Sequence, residues 1–308
     1  MPVPSRVQRY LDRAGQKVGQ RVIGEAGKLW TRHHGPFERL AELTSIAASP
    51  SEPTFLFSTR DRVISPEVFV TSGYEEDELR WILHCLGQPQ RQRTVVEVGA
   101  NIGTTTIPLL VRYGAACVEA FEPDPFNYDL LRCNLILNHV DSQAITQGCA
   151  ISDTNGETIL ELCAWNFGDH RVRIPGDVHL GVFEEANRST ITVAARRLDD
   201  AVTTPTAEIG LIWVDAQGHE AHILDGADHL LGCGIPWVIE YWPYGLTRQG
   251  GLARLNGDLA KRFTHVVDVR QSRRSNSEVR LETTDLDRLA RDLGYGYTDL
   301  ILTPDAAR

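Results

Sequence analysis

The sequence predicts a doubly wound α/β fold built on a mostly parallel sheet, and three observations predict it. From residue 94 onward, short apolar runs alternate with helical patterns. A glycine turn, Gly99-Ala100-Asn101-Ile102-Gly103, separates the first apolar run from the helix that follows. Two later runs, 211–214 and 236–241, are apolar almost throughout, as strands covered on both faces are.

Composition sets the bounds. A chain of 308 residues, 42% hydrophobic and 23% charged, has the make-up of a globular protein with one large core and appendages. Its net charge of −10 disfavours a general nucleic-acid binder, which needs a basic surface to neutralise phosphates. The six cysteines form no C-x-x-C pair and several lie in apolar runs, so they read as reduced, buried thiols rather than a disulfide frame or zinc site. No stretch approaches the roughly 18 apolar residues of a membrane span, and no signal-like segment opens the sequence. A cytoplasmic location is the expectation.

In chain order, residues 1–34 hold seven Lys/Arg against two acids, which makes this arm +5 and leaves −15 for the remainder. Val7, Leu11, Ala14, Val18 and Val22 recur at helical spacing between the basic residues. Two readings follow: a helix lying on an anionic membrane or acidic partner, or an arm docked on its own or a neighbouring acidic domain, the latter giving a homo-oligomer. Gly15, Gly19, Gly24 and Gly27 weaken an independent helix and favour docking. Ser, Pro and Thr cluster between 47 and 66, which reads as a connector with a small edge structure at 54–57. Residues 1–68 are therefore expected as basic helical arm and connector, and 69–308 as the main domain. There, 75–86 sets Leu79, Ile82, Leu83 and Leu86 on one helical face, with acids in the first turn. The alternation then runs as strand 94–98, helix 104–113, strand 117–121, helix 125–138 and strand 145–151. After strands 211–214 and 236–241 come helix 252–263, strand 265–269, helix 284–293 and strand 297–302. Residues 154–194 break the pattern, with β-like runs at 158–162 and 189–193, and are expected as an inserted hairpin or flap.

The chemistry concentrates at two strand ends. Gly99 and Gly103 permit the tight turn and close backbone approach that a nucleoside-like ligand needs, and Asn101 and Thr104 are apt caps for the next helix. Such a turn alone is weak evidence. The acid before it, Glu97, points negative charge at the ligand end of the sheet, which suits a cationic ligand better than a pyrophosphate. Glu122 closes the second strand about 20 residues later, where a carboxylate can accept from both hydroxyls of a ribose. Asp124 before Pro125 reads as a helix cap.

Val96-Glu97-Val98-Gly99-Ala100-Asn101-Ile102-Gly103, Phe121-Glu122-Pro123, Asn134-Leu135, Ile151-Ser152-Asp153 and Val214-Asp215-Ala216-Gln217-Gly218-His219-Glu220, in this order, resemble the FkbM family of methyltransferases. That family is a class I, Rossmann-like, S-adenosylmethionine-dependent group, and the resemblance covers roughly residues 70–303. It implies a seven-stranded sheet with the last strand, 297–302, inserted antiparallel. It also implies S-adenosyl-L-methionine as cofactor and, as the reaction, O-methylation of a hydroxyl on a small molecule, sugar or natural-product scaffold. The family usually carries Val-Glu-Gly where this chain has Ala216-Gln217-Gly218, so a ligand role for Gln217 stays open.

On that resemblance, Tyr74 and Glu75 fold over the methionine end of the cofactor, while Glu97, Gly99, Asn101, Gly103 and Thr104 form the turn beneath it. Glu122 and Pro123 serve the ribose end, Asp153 is the candidate acceptor for the adenine amine, and Asp215 stands at the sheet edge beside them. Asp153 also begins a strong turn sequence, Asp153-Thr154-Asn155-Gly156. A hydroxyl acceptor is a weak nucleophile and gains from a general base or a metal. Asp215 is the first candidate, as base or acceptor-orienting group. His170 in the insert, and His219 and Glu220 at the start of the following helix, are the others. Asp215, His170, Glu220 and Glu240 are the set that would meet on a divalent cation, but their spacing is no compact metal motif and no metal is assigned. Trp165, Phe167, His179 and Phe183 read as packing of the flap or as an aromatic acceptor wall. Two other readings remain. One is an NAD- or nucleotide-sugar-binding enzyme on the same fold, for which the turn lacks the third glycine. The other is a non-catalytic module that keeps the cofactor.

Overall fold

Alternate residues of the central strands feed opposite layers of core, and this places the site. The computed structural model describes residues 36–173 and 182–304. The basic arm with its apolar stripe, and His179 of the insert, lie outside the described residues. Strand β3 (Thr94–Val98) sends Val95 into one hydrophobic cluster and Val96 and Val98 into the other. Strand β10 (Ile209–Val214) repeats this, with Leu211 and Trp213 on one side and Ile212 and Val214 on the other. A sheet with two buried faces is thus covered by helices on both.

With β4 (Cys117–Phe121), β5 (Ala144–Gln147), β11 (Trp237–Tyr241), β12 (His265–Asp268), β13 (Arg280–Glu282) and β14 (Thr298–Leu302), these strands make one eight-stranded sheet. Its order is β13-β12-β14-β11-β10-β3-β4-β5. The strands from β5 to β11 pair in parallel, and β14 lies antiparallel between β11 and β12. The inserted antiparallel last strand is as expected, but the count of seven is corrected to eight. The added strand β13 pairs antiparallel with β12 at the edge, and its one apolar residue, Leu281, sits between exposed Arg280 and Glu282, so no apolar run announced it.

The single strand expected over 145–151 is also corrected. The apolar run continues across Gly148, but the chain changes sheets there: β5 ends at Gln147, and β6 (Ala150–Ser152) joins a second sheet. The Gln147 carboxamide ties the crossing, donating to Ala201 O at 2.9 Å and accepting from Arg196 Nη1 at 2.7 Å. The insert is this second sheet, in the order β6-β9-β7-β8, with β7 (Gly156–Leu162), β8 (Arg171–Arg173) and β9 (Ser189–Arg197). It carries a small core of its own from Ala150, Leu160, Val172 and Val193.

The region read as a connector is packed rather than a tether. Strands β1 (Ile46–Ala48) and β2 (Leu56–Ser58) pair antiparallel, and Phe37, Phe55 and Phe57 are fully buried in the cluster that holds Val95 and Leu211. Asn134 makes the join: its Oδ1 accepts from Leu56 N at 2.6 Å, and its Nδ2 donates to Leu56 O at 3.0 Å and to Ile102 O at 2.9 Å. One buried carboxamide therefore fastens β2 to the glycine turn.

Candidate active site

The turn after β3 exists because only glycine fits it. Gly99 has φ +88°, and a Cβ there would stand 1.8 Å from the Asp215 carbonyl oxygen. That approach, with Asp215 N donating to Val98 O at 3.0 Å, sets the ends of β3 and β10 side by side and brings Glu97 and Asp215 to one cavity. Gly103, φ +92°, lies behind it, where a Cβ would crowd Leu131 at 2.9 Å. The helix begins at Thr106, later than expected, and neither Asn101 nor Thr104 caps it. Asn101 adopts φ +50°, accepts from Ile102 N at 2.7 Å and donates to Phe167 O at 3.1 Å, so its side chain supports the insert. The Asp124 cap is as expected, accepting from Asn127 N at 2.9 Å.

Tyr74, Glu75, Glu97, Gly99, Asn101, Thr104, Glu122, Pro123, His170, Asp215 and His219 all line this one cavity at the carboxyl ends of β3, β4, β10 and β11. Glu97 accepts from Thr106 Oγ1 at 2.5 Å, and burial, with Asp215 adding to it, pushes its carboxyl up to about 8. Glu122 accepts from Asn101 N and Asp124 N, both at 2.8 Å, yet burial outweighs those N–H groups and lifts it to about 8. Glu75, in a left-handed conformation at φ +51°, receives the Tyr297 hydroxyl at 3.0 Å and is raised to about 7 by burial, Glu78 and Asp215. Asp215 is raised by burial, and Glu240 is raised well above the usual carboxylate range by burial and by Asp215.

The other candidates divide. Asp153 is outside the cavity, with Oδ2 at 2.9 Å from His222 Nδ1, although Ala150 and Ile151 of β6 line it. Glu220 is also outside. Its Oε1 accepts from Ala216 N at 2.9 Å and Gly218 N at 3.3 Å, bracing the turn under Asp215. His219 is buried rather than exposed, with Nδ1 at 2.6 Å from Gln249 Oε1 and Nε2 at 2.9 Å from Ser152 Oγ. Burial lowers its pKa to about 3, so the ring is neutral and both nitrogens are engaged. His170 Nδ1 accepts from Cys163 N at 3.1 Å, which leaves the proton of the neutral ring on Nε2. Burial keeps this ring below its ordinary pKa, so it offers the cavity a donor and no basic lone pair. Of the four catalytic candidates, Asp215 alone presents a carboxyl oxygen to the cavity. Among the described residues no three His, Cys, Asp or Glu side chains are arranged to hold a metal ion.

Sequence reasoning missed two contributors, Asp299 and Tyr297, and left Gln217 open. Asp299 lines the cavity directly opposite Glu240 in the antiparallel β11–β14 ladder, a like-charge pairing that the assumed insertion of the last strand could have exposed. Tyr297 lines it beside Asp299, and Gln217 donates from Nε2 to Asp215 Oδ1 at 2.8 Å. Over the cavity, the loop of residues 165–170 is latched from three sides. Phe167 N donates to Asp61 Oδ1 at 3.1 Å, and Phe167 O accepts from Asn101 and from Asn127 Nδ2 at 2.9 Å. Phe167 and Phe183 line the cavity, and Trp165 does not.

The profile of the methyltransferase FkbM domain matches residues 97–295. Methyltransferase sdnD of Sordaria araneosa is 29% identical over 185 residues, which is 50% of this chain and 69% of that protein. The 2-O-methyltransferase NoeI of Sinorhizobium fredii is 29% identical over 161 residues, 49% of this chain and 63% of that protein. Among solved structures, geranyl diphosphate C-methyltransferase from Streptomyces coelicolor aligns over 76% of this chain and 79% of its own at 13% identity, with a TM-score of 0.40. The domain match runs from Glu97 at the cavity floor to Tyr295 at its rim and takes in more than half of the chain, which therefore belongs to the FkbM methyltransferase family.

Proposed function

We propose that this chain is an S-adenosylmethionine-dependent O-methyltransferase whose acceptor is a hydroxyl on an uncharged small molecule, sugar or natural-product scaffold. One observation carries the reading: Glu75, Glu97, Glu122, Asp215, Glu240 and Asp299 line a single cavity, and none of them has a Lys or Arg partner among the described residues. A floor of unmatched, buried carboxyls is costly alone and complementary to a cation. A dinucleotide pyrophosphate would be repelled there.

S-adenosylmethionine, when bound, supplies a methyl group on a positively charged sulfur. Glu97 and Glu75 are assigned to its cationic methionine end. Glu122, with one lone pair on each oxygen occupied by a backbone N–H, keeps further acceptor capacity for ribose hydroxyls. Asp215 takes the proton of the acceptor hydroxyl. Negative charge on Asp215 and positive charge on sulfur are then extinguished together, which a low-dielectric cavity favours. Among the described residues the one guanidinium lining the cavity, Arg171, is occupied by Asp169 and Glu185, which leaves none of them to recruit an anionic acceptor.

The test is calorimetry with S-adenosylmethionine and with NAD on the wild type and Glu122→Ala. The wild type binds S-adenosylmethionine, the variant at least about tenfold more weakly, a loss of roughly 1.4 kcal/mol. Tight NAD binding without S-adenosylmethionine binding overturns the reading.

A further inference from the structure

We propose that Gln217 is a positioning residue that holds the Asp215 and Glu240 carboxyls as a pair sharing one proton, with the anion kept on Asp215. This deepens the functional reading above and rests on its assignment of Asp215 as the base. The argument begins with the turn that carries Gln217. Its backbone is left-handed at φ +53°, and the next residue, Gly218, has φ +99° and is packed so closely on Gly245 that a Cβ would meet backbone at 2.5 Å. Glu220 pins the turn from below through Ala216 N and Gly218 N. The side chain is therefore aimed by a backbone with little freedom to move.

What it is aimed at is unusual for a carboxamide. Its single nitrogen stands 2.8 Å from Asp215 Oδ1 and 3.3 and 3.2 Å from the two oxygens of Glu240. A primary amide has two N–H groups, so one reaches each carboxyl. Asp215 follows β10 and Glu240 is the penultimate residue of the neighbouring parallel strand β11, and both carboxyls stand within 3.3 Å of one nitrogen. Two buried carboxyls in that relation do not both ionise, and one proton lies between them.

The acids that face the pair disfavour a second negative charge. These are Glu97 from β3, Asp299 from β14, Glu75 from the start of the helix Glu76–Cys85, Glu220 from the helix after the turn, and Asp169 from the insert, whose charge Arg171 matches; Tyr74 and Tyr297 face the pair as neutral hydroxyls, and His170 and His219 as rings below their ordinary pKa. Two features choose the site of the anion. Asp215 has the short amide hydrogen bond, and Glu240 faces Asp299 directly across the antiparallel ladder. The proton therefore rests on Glu240. The amide orients the Asp215 carboxylate through Oδ1, and the acceptor hydroxyl approaches that carboxylate from the cavity. In the transfer, the acceptor O–H proton passes to Asp215 while the new O–CH3 bond forms. The S–CH3 bond breaks with its electron pair left on sulfur, so charge and atoms balance.

The experiment is a carboxyl 13C NMR titration of the full chain without cofactor, for the wild type, Gln217→Met, which keeps length and removes both donors, and Gln217→Glu, which replaces the donors by a third carboxyl. The wild type is expected to titrate as a coupled pair with two steps at least about two pH units apart and one proton retained at pH 7. In both variants the lower step rises by about one pH unit, because the anion loses its donor. Should Gln217→Met fail to fold, the near-isosteric Gln217→Glu carries the same test. Independent titration of the two carboxyls near ordinary values, or variants that leave the lower step unmoved, overturns the proposal. Since no cofactor is present, failed S-adenosylmethionine binding beside an intact pair counts against the functional reading alone. Good cofactor binding beside independent carboxyls counts against this inference alone.

Discussion

Two groups of buried carboxyls, one in the insert and one on the cavity floor, are balanced in opposite ways. In the insert, Glu161 takes two hydrogen bonds from Arg248, at 2.5 and 2.8 Å, and a further pair from Arg173. Asp169 is bound bidentately by Arg171, which reaches Glu185 at 3.0 Å and lies 4.5 Å over the Trp242 ring. Burial alone would raise Glu161, but Arg248, Arg173 and Arg188 outweigh it and hold the carboxyl below its usual range. On the floor, Glu97, Glu122, Asp215 and Glu240 are all raised, because burial meets no counter-charge among the described residues. Matched acids build a scaffold, and the floor acids have no matching cation among the described residues.

The comparison is broken most sharply from the matched side. Arg248→Met removes a bidentate partner from a fully buried carboxylate, and a loss of about 3–5 kcal/mol in urea unfolding is expected. A change below about 1 kcal/mol would mean that the network is not structural.

A floor substitution has the opposite sign. Glu97 is raised from 4.5 to about 8, so its contribution to stability is fully present below pH 4.5 and is lost as pH rises through 8. The cofactor-free protein is thus expected to lose up to about 1.4 kcal/mol per pH unit from this group over that window. Glu97→Gln should flatten the decline and gain about 2 kcal/mol at pH 8, read from thermal unfolding across pH. Glu161, held below its usual range, acts in reverse: its contribution is present above its ordinary pKa and is lost as pH falls through the lowered value. A Glu97→Gln protein less stable than wild type at pH 8 would erase the distinction between the two groups.

The smallest effect belongs to the latch between them. Asn127→Ala removes one of two donors to the Phe167 carbonyl, leaving the Asn101 donor in place. About 1 kcal/mol of local stability should be lost, seen as faster hydrogen exchange at residues 165–170 with little change elsewhere.

What was legible in the sequence follows the same division. Strands β3, β4, β10 and β11 were readable because burial on both faces makes them continuous apolar runs, and the glycine turn was readable because a 1.8 Å clash leaves no other residue. Glu97 and Glu122 follow from their place at strand ends. Asp153 did not follow, because its partner His222 is distant in the chain and meets it only once the elements pack. The burial of His219 was not legible because it depends on Gln249 and Ser152, which are distant in the chain. The arginine network was illegible for the same reason: Arg171, Arg248 and Glu161 sit on three separate elements and have meaning only once packed.

The central claim is that the unmatched floor carboxyls serve a cationic cofactor, and proton linkage tests it most directly. Calorimetric titration of the wild type with S-adenosylmethionine at pH 6.5, repeated in buffers of different ionisation enthalpy, counts the protons exchanged on binding. Glu97 and Glu122, raised to about 8, are largely protonated at that pH, and a cation set among them drives ionisation. Net proton release is the predicted result; binding with no proton exchange or with net uptake, or no binding at all, would contradict the account.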